Sequence, residues 1–186
     1  MLKLQDFKNE VTNKKILLLD SVNRQSTIYT IHDENLASHS FKVGYIALVI
    51  AKKLGLSREE QNQIAVYALL HDVGESVTSD MPSNIKRSVP GLKELLDEAE
   101  KIAIAKHNPE ILDEFLELQK HEQDKDLVGV IVKLADILAF LMVVEQEKAL
   151  GNHDQTLLKA EANSTKQLRE YYHLLEGLLN GRNWFY

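Results

Sequence analysis

Residues 127 to 144, LVGVIVKLADILAFLMVV, are the most apolar run in the chain, and their only charges, Lys133 and Asp136, fall at the middle. A run of this length is enough to suggest a membrane span. A charge at the bilayer centre is expensive, however, so two central charges predict a buried core helix instead. A helix that is apolar all round has to be surrounded by other elements. A carboxylate among Leu134, Ile137, Leu138 and Phe140 also needs a partner. Lys133 lies one helical turn away and can supply it.

The remaining sequence supports a bundle around that helix. With 186 residues, three prolines and eight glycines, it favours long helices over many short strands. Helical periodicity runs from Leu2 to about Leu19. Residues 21–33 are broken and polar, a loop or irregular strand. Helices are predicted at Glu34–Leu54, stopped by Gly55, and from the Ser57/Glu60 capping box to about Asp72. Residues 78–90 form the main loop, where Pro82 and Pro90 limit helix. Further helices are predicted at Gly91–Lys106, from Pro109 to about Gln119, at Asp126–Leu150 and over 154–179. No linker or repeat divides the chain, so the expectation is one all-α domain, 1–186.

Composition excludes several classes. A net charge of −6 argues against a surface for nucleic-acid polymers. With no cysteine, a metal could sit only on His, Asp or Glu. The N-terminal MLKLQDFKNEV is too charged for a signal peptide, which predicts a cytoplasmic protein without a membrane anchor.

The stretch ALLHDVGESVTSD, residues 68–80, places His71 and Asp72 at the end of an apolar helix, with Glu75 and Asp80 close behind. His39 lies in the first turns of the second long helix, amid Leu36, Phe41 and Val43. Asp136 lies in the most apolar one. Taken singly, His39 reads as a satisfied core histidine and Asp72 as a helix-end carboxylate. Together they are two imidazoles and two carboxylates on three helices, each on a face expected to be buried. Bundles build metal sites this way, and the set suits one divalent ion such as Mn, Co, Fe, Ni or Zn.

His39, His71-Asp72 and Asp136 resemble the H…HD…D pattern of the HD-domain metal phosphohydrolases. Arg24 fifteen residues before His39, the approach ENLASHS, the loop HDVGESVTSDMPSNIK and the last ligand in KLAD resemble the bacterial YfbR-type 5'-deoxynucleotidases and related phage nucleotide phosphohydrolases. The similarity covers roughly residues 20 to 150. It implies an HD-domain helical bundle that uses a metal-activated water to hydrolyse nucleoside 5'-monophosphates to nucleoside and phosphate. It also implies homodimers or larger homo-oligomers. By the same resemblance His39, His71, Asp72 and Asp136 hold the ion, Glu75 is the catalytic acid, and Arg24 orients the phosphate. Asp80, Met81, Pro82 and Ser83 match the sugar-contacting loop, and Lys86 a basic position near the phosphates. Helical spacing agrees for Glu75, which follows His71 by four residues and shares its face if the turn continues. One position departs: the family's arginine is typically followed by a tryptophan that disfavours a 2'-hydroxyl, and here stands Gln25. An amide can hydrogen-bond that hydroxyl, so ribonucleotides enter the expected substrate range. His107 and His121 lie where two-metal relatives carry further histidines, but neither has a setting that suggests a second ion; His121 reads as part of a solvated face. His32, His153 and His173 read as surface residues.

Three other readings remain open. A dNTP triphosphohydrolase releasing triphosphate would need basic residues beyond the first phosphate, with Lys86, Arg87 and Lys42 as candidates. A noncatalytic nucleotide- or metal-binding regulatory HD domain would not need Glu75 and Arg24. A structural bundle without a site leaves Asp136 unexplained.

Overall fold

The computed structural model describes residues 14–25 and 27–180. Among them there is no β-strand, only an isolated antiparallel bridge between Asn23 and Asn35. A 3-10 helix, Lys15–Ser21, is followed by α1 (Leu36–Lys53), α2 (Arg58–Leu70), α3 (Glu75–Thr78), α4 (Ser83–Ser88), α5 (Leu92–His107), α6 (Leu112–Asp124), α7 (Leu127–Ala149) and α8 (Gln155–Asn180). The all-α class expected from the sequence is the one observed.

Local chemistry sets most boundaries. Asn35 caps α1 by accepting the Ser38 N–H at 2.9 Å, and Gly55 follows its end in the left-handed region. Ser57 and Glu60 form the predicted capping box of α2. Asp126 caps α7 by accepting the Gly129 N–H at 3.0 Å. Three segments differ from expectation. Lys15–Ser21 is 3-10 rather than α, because Val22 turns extended and its carbonyl accepts the Leu36 N–H at 2.9 Å; residues 2–13 of that predicted helix lie outside the described residues. Residues 78–90 contain α4, because Pro82 stands just before the first turn, where a missing N–H costs nothing. Pro109 opens a 3-10 turn, Pro109–Ile111, and α6 then runs on to Asp124.

Helix α7 is the centre of the bundle and packs against α1, α2, α6 and α8. By length and composition it could cross a membrane, but most of its apolar stretch is buried inside the protein, as predicted from its two charges. Val130, Ile131 and Leu134 meet Val43 and Ala47 of α1, Ile64 and Ala68 of α2, and Leu118 of α6 in one core. Each fully buried branched side chain there contributes about 1.5–3 kcal/mol. A smaller cluster of Val73, Ile104 and Phe115 lies under the turn between α2 and α3. It holds the turn that carries His71 and Asp72.

Candidate metal centre and phosphate pocket

Three helices and one extended segment converge on the site. α1 supplies His39, the end of α2 supplies His71 and Asp72, and α7 supplies Asp136. Residues 22–24 run antiparallel to 34–36, with the Arg24 N–H donating to the Glu34 carbonyl at 2.8 Å. That pairing lays Arg24 beside the start of α1. After α2 the chain continues in helical turns: the Val73 N–H donates to the Leu70 carbonyl, and the Glu75 N–H to the Asp72 carbonyl, both at 3.0 Å. These turns bring Glu75 to the same cavity as Asp72.

Ligand atoms of His39, His71 and Asp72 all lie within 4.8 Å of one another. Asp136 Oδ1 is 3.0 Å from His39 Nε2 and 4.0 Å from His71 Nε2. His71 Nδ1 donates to the Ala68 carbonyl at 2.8 Å, which keeps a proton on Nδ1 and makes Nε2 the nitrogen available to a cation once its own proton is lost. Nε2 is buried and makes no hydrogen bond, although Asp72 Oδ2 lies 3.0 Å away. This orphaned nitrogen is what a cation would use. Two imidazoles and two carboxylates fit a borderline divalent ion.

The protein's own field prepares those groups. Burial pushes the Asp72 carboxyl up, but His71 and Arg24 outweigh it and hold it well below the usual range. Burial acts likewise on Asp136, and Lys133 with the His39 hydrogen bond reverses it. Burial pulls His39 down despite its bond to Asp136. Burial also opposes charge on His71, but Asp72 and Asp136 raise it to about 9. Ionised carboxylates and a neutral His39 are the states metal binding needs; His71 would release its proton on binding.

Arg24 donates to Asp72 and lies 3.8 Å from Asp136 Oδ1, while its Nε is buried without a partner. Lys133 Nζ donates to Asp136 Oδ2 at 2.6 Å, the pairing expected within the helix. Glu75 is only 7% exposed. Lys86 donates to its Oε1 at 2.9 Å, and Oε2 has no partner. Burial first, then the Asp72 charge, push the Glu75 carboxyl up to about 8, against the pull of Lys86.

These groups open into one cavity of about 800 Å³. Gln25, Asp80, Met81, Pro82 and Lys86 line it. Asp80 Oδ2 accepts the Gln25 backbone N–H at 2.7 Å, and Gln25 Nε2 is buried without a partner. The side chains of Ser83 and Arg87 lie outside the described ones. Lys42 is absent from the lining and donates to Glu34 Oε1 at 2.6 Å instead. Sequence reasoning gave Lys133 no place in the pocket, and it missed the wall contributed by α8, where Lys159, Asn163 and Gln167 face the same cavity. Their spacing by four was legible, but nothing in it pointed to the site. His121 is not on a solvated face: it is partly buried, its ring lies tilted against Tyr67 with centroids 5.3 Å apart, and it pairs with Asp126 at 2.5 Å. His32, His153 and His173 are exposed, as expected.

The fold is that of the HD-domain phosphohydrolases. An HD-domain phosphohydrolase from Listeria innocua superposes with a TM-score of 0.70 at 21% identity, over 95% of this chain and 85% of that one. The cyanophage S-2L HD phosphohydrolase DatZ, solved with dA and one catalytic Zn²⁺ ion, gives 0.69 at 18% identity, over 89% and 90%. Within that class the chain belongs to the 5'-deoxynucleotidase YfbR-like family, which matches residues 14–176. The 5'-deoxynucleotidase yfbR of Photorhabdus temperata is 30% identical over 158 residues, covering 81% of this chain and 80% of the relative. A 5'-deoxynucleotidase of Photobacterium profundum is 30% identical over 160 residues, covering 81% of each.

Proposed function

We propose that this protein hydrolyses deoxynucleoside 5'-monophosphates to nucleoside and orthophosphate, with one divalent ion held by His39, His71, Asp72 and Asp136. The observation that carries the reading is that Asp72 and Asp136, in contact with buried His39 and with His71, line one cavity together with Arg24 and a Glu75 that holds its proton near neutral pH. It is supported by membership of a 5'-deoxynucleotidase family. The ion, drawn from Mn, Co, Fe, Ni and Zn, supplies Lewis acidity, lowering the pKa of a water and offsetting phosphoryl charge. The DatZ structure with zinc favours a site of this kind.

The chain's own residues do the rest. Arg24 presents a planar fork to the phosphate, and Lys86 and Lys133 add positive charge at the same wall. Water gives its hydroxyl to phosphorus, the P–O5' bond breaks, the 5' oxygen takes up a proton from Glu75, and the second proton of the water passes through solvent to restore Glu75. Glu75 holds that proton near neutral pH, with Oε2 free to donate it. Asp80 keeps one carboxylate oxygen for a sugar hydroxyl, because the other is taken by Gln25 N–H. The unpartnered Gln25 amide is a second donor toward the sugar, so ribonucleotides are accepted alongside deoxyribonucleotides.

A second reading, dNTP triphosphohydrolysis, is favoured by one observation: Lys159 and Lys166 on α8 line the cavity in addition to Arg24, Lys86 and Lys133. Product analysis separates the two. With stripped protein reloaded with Mn²⁺ or Co²⁺, monophosphates of both sugars release orthophosphate. Tripolyphosphate from dNTPs would establish the second reading instead. We read 1–186 as one cytoplasmic HD domain acting as a homodimer or larger homo-oligomer. Exposed Phe41 and Tyr45 on α1 and Leu69 on α2 are the apolar surface for that contact, and sedimentation velocity tests it.

A further inference from the structure

His39 has no exposed surface, and its two ring nitrogens face different neighbours. Nε2 looks into the cluster, 3.0 Å from Asp136 Oδ1. Nδ1 looks the other way and makes no hydrogen bond. Glu34 Oε2 lies 3.7 Å from it. That oxygen is also buried and without a hydrogen-bond partner, whereas Oε1 of the same carboxylate accepts from Lys42 Nζ at 2.6 Å. The backbone holds Glu34 in place: its carbonyl takes the Arg24 N–H, and the next residue caps α1.

A neutral imidazole carries one proton. When Nε2 gives its lone pair to a cation, the proton has to stay on Nδ1. A buried N–H without an acceptor is left with its desolvation cost unmet. His71 meets this requirement with the Ala68 carbonyl; His39 has no carbonyl in that role. We propose that Glu34 is a positioning residue for the metal centre, its carboxylate accepting the Nδ1–H of His39 and so fixing the tautomer that turns Nε2 to the ion. The proposal rests on reading the His39, His71, Asp72 and Asp136 cluster as a metal site. A small rotation of either side chain closes the 3.7 Å gap to a hydrogen bond. Lys42 holds the far oxygen and keeps the carboxylate aimed at the ring. A carboxylate behind a ligand histidine also raises its basicity, which makes His39 a stronger donor.

The test is Zn²⁺ affinity measured by competition with a chromophoric chelator, alongside thermal unfolding of each stripped protein. Wild type, Glu34→Ala, Glu34→Gln, Lys42→Met and Asp72→Ala are compared. Glu34→Ala loses roughly 10–100-fold in Zn²⁺ affinity, the range for removing an outer partner of a ligand histidine. Glu34→Gln, which keeps an acceptor but not the charge, loses less. Lys42→Met removes the other partner of Glu34 and changes Zn²⁺ affinity by only a few-fold. Glu34 variants that bind Zn²⁺ as wild type does, while Asp72→Ala binds weakly, overturn the proposal and leave the metal site standing. Equal losses in Glu34→Ala and Lys42→Met, matched by equal losses of stripped-protein stability, also overturn it, since that is what a purely structural ion pair gives. Wild type binding no tighter than Asp72→Ala overturns the metal site and this proposal with it.

Discussion

Glu75 shows how one residue's setting decides its chemistry. Its carboxyl is buried beside Asp72 and held by Lys86, and it keeps a proton up to about pH 8. Glu75→Gln keeps the shape and removes the transferable proton. The expected result is a fall in kcat of about 10²–10⁴-fold with Zn²⁺ affinity retained, checked by steady-state kinetics and chelator competition. Stability gives an independent check. A carboxyl whose folded pKa is raised binds its proton more tightly folded than unfolded, so its contribution is complete below about 4.5 and is lost as pH rises through about 8. In stripped protein, wild type therefore loses more stability than Glu75→Gln across that window, read by urea unfolding at a series of pH values. His71 titrates with the same sign but is common to both proteins, so the difference isolates Glu75. At this scale much was legible in the sequence: the residue types at 39, 71, 72, 75 and 136, and the Lys133–Asp136 pair. The role of Glu34 was not, because ENLASHS gives no sign that Glu34 and His39, five residues apart, would each be left with an unpaired buried atom.

At the scale of elements, α6 and α7 approach closely at Gly129. A Cβ there would lie 2.2 Å from the backbone oxygen of His121, which cannot move aside as a side chain could. Gly129→Ala should cost about 1–3 kcal/mol or more, seen as a lower urea midpoint, with the α6–α7 packing shifted. A second element-level contact ties the polar segment before α1 to the end of α7. Glu147, 1% exposed, accepts the Ile31 and His32 N–H groups at 2.6 and 3.0 Å and the Asn152 amide at 2.7 Å. Water can replace it at the exposed Ile31 and His32, but not at buried Asn152. Glu147→Ala should therefore cost about 1–3 kcal/mol and open residues 29–32 to limited proteolysis. Periodicity and caps predicted the long helices because their signals are local. Helix α4 was missed because Pro82 reads as a breaker unless its place just before a first turn is known. The α8 wall was missed because only the packing of α8 on α7 brings it over the cavity.

For the whole molecule, the apolar helix that opened the reading of the sequence carries both the core and Asp136 of the site, so fold and site stand together. Binding of a cation to the folded chain alone stabilises it by mass action, about 2.7 kcal/mol at a hundredfold excess over Kd. Chelation should lower Tm, and added Mn²⁺ or Co²⁺ should restore it in wild type but not in Asp72→Ala. The most direct measurement follows orthophosphate release from a deoxynucleoside 5'-monophosphate by stripped wild type, by the same protein after metal is returned, and by Asp72→Ala treated identically. The expected result is no release when stripped, recovery with metal, and none from Asp72→Ala although its helical circular dichroism is retained. Full activity in Asp72→Ala, or in stripped protein, would contradict a metal-dependent phosphohydrolase centred on this cluster.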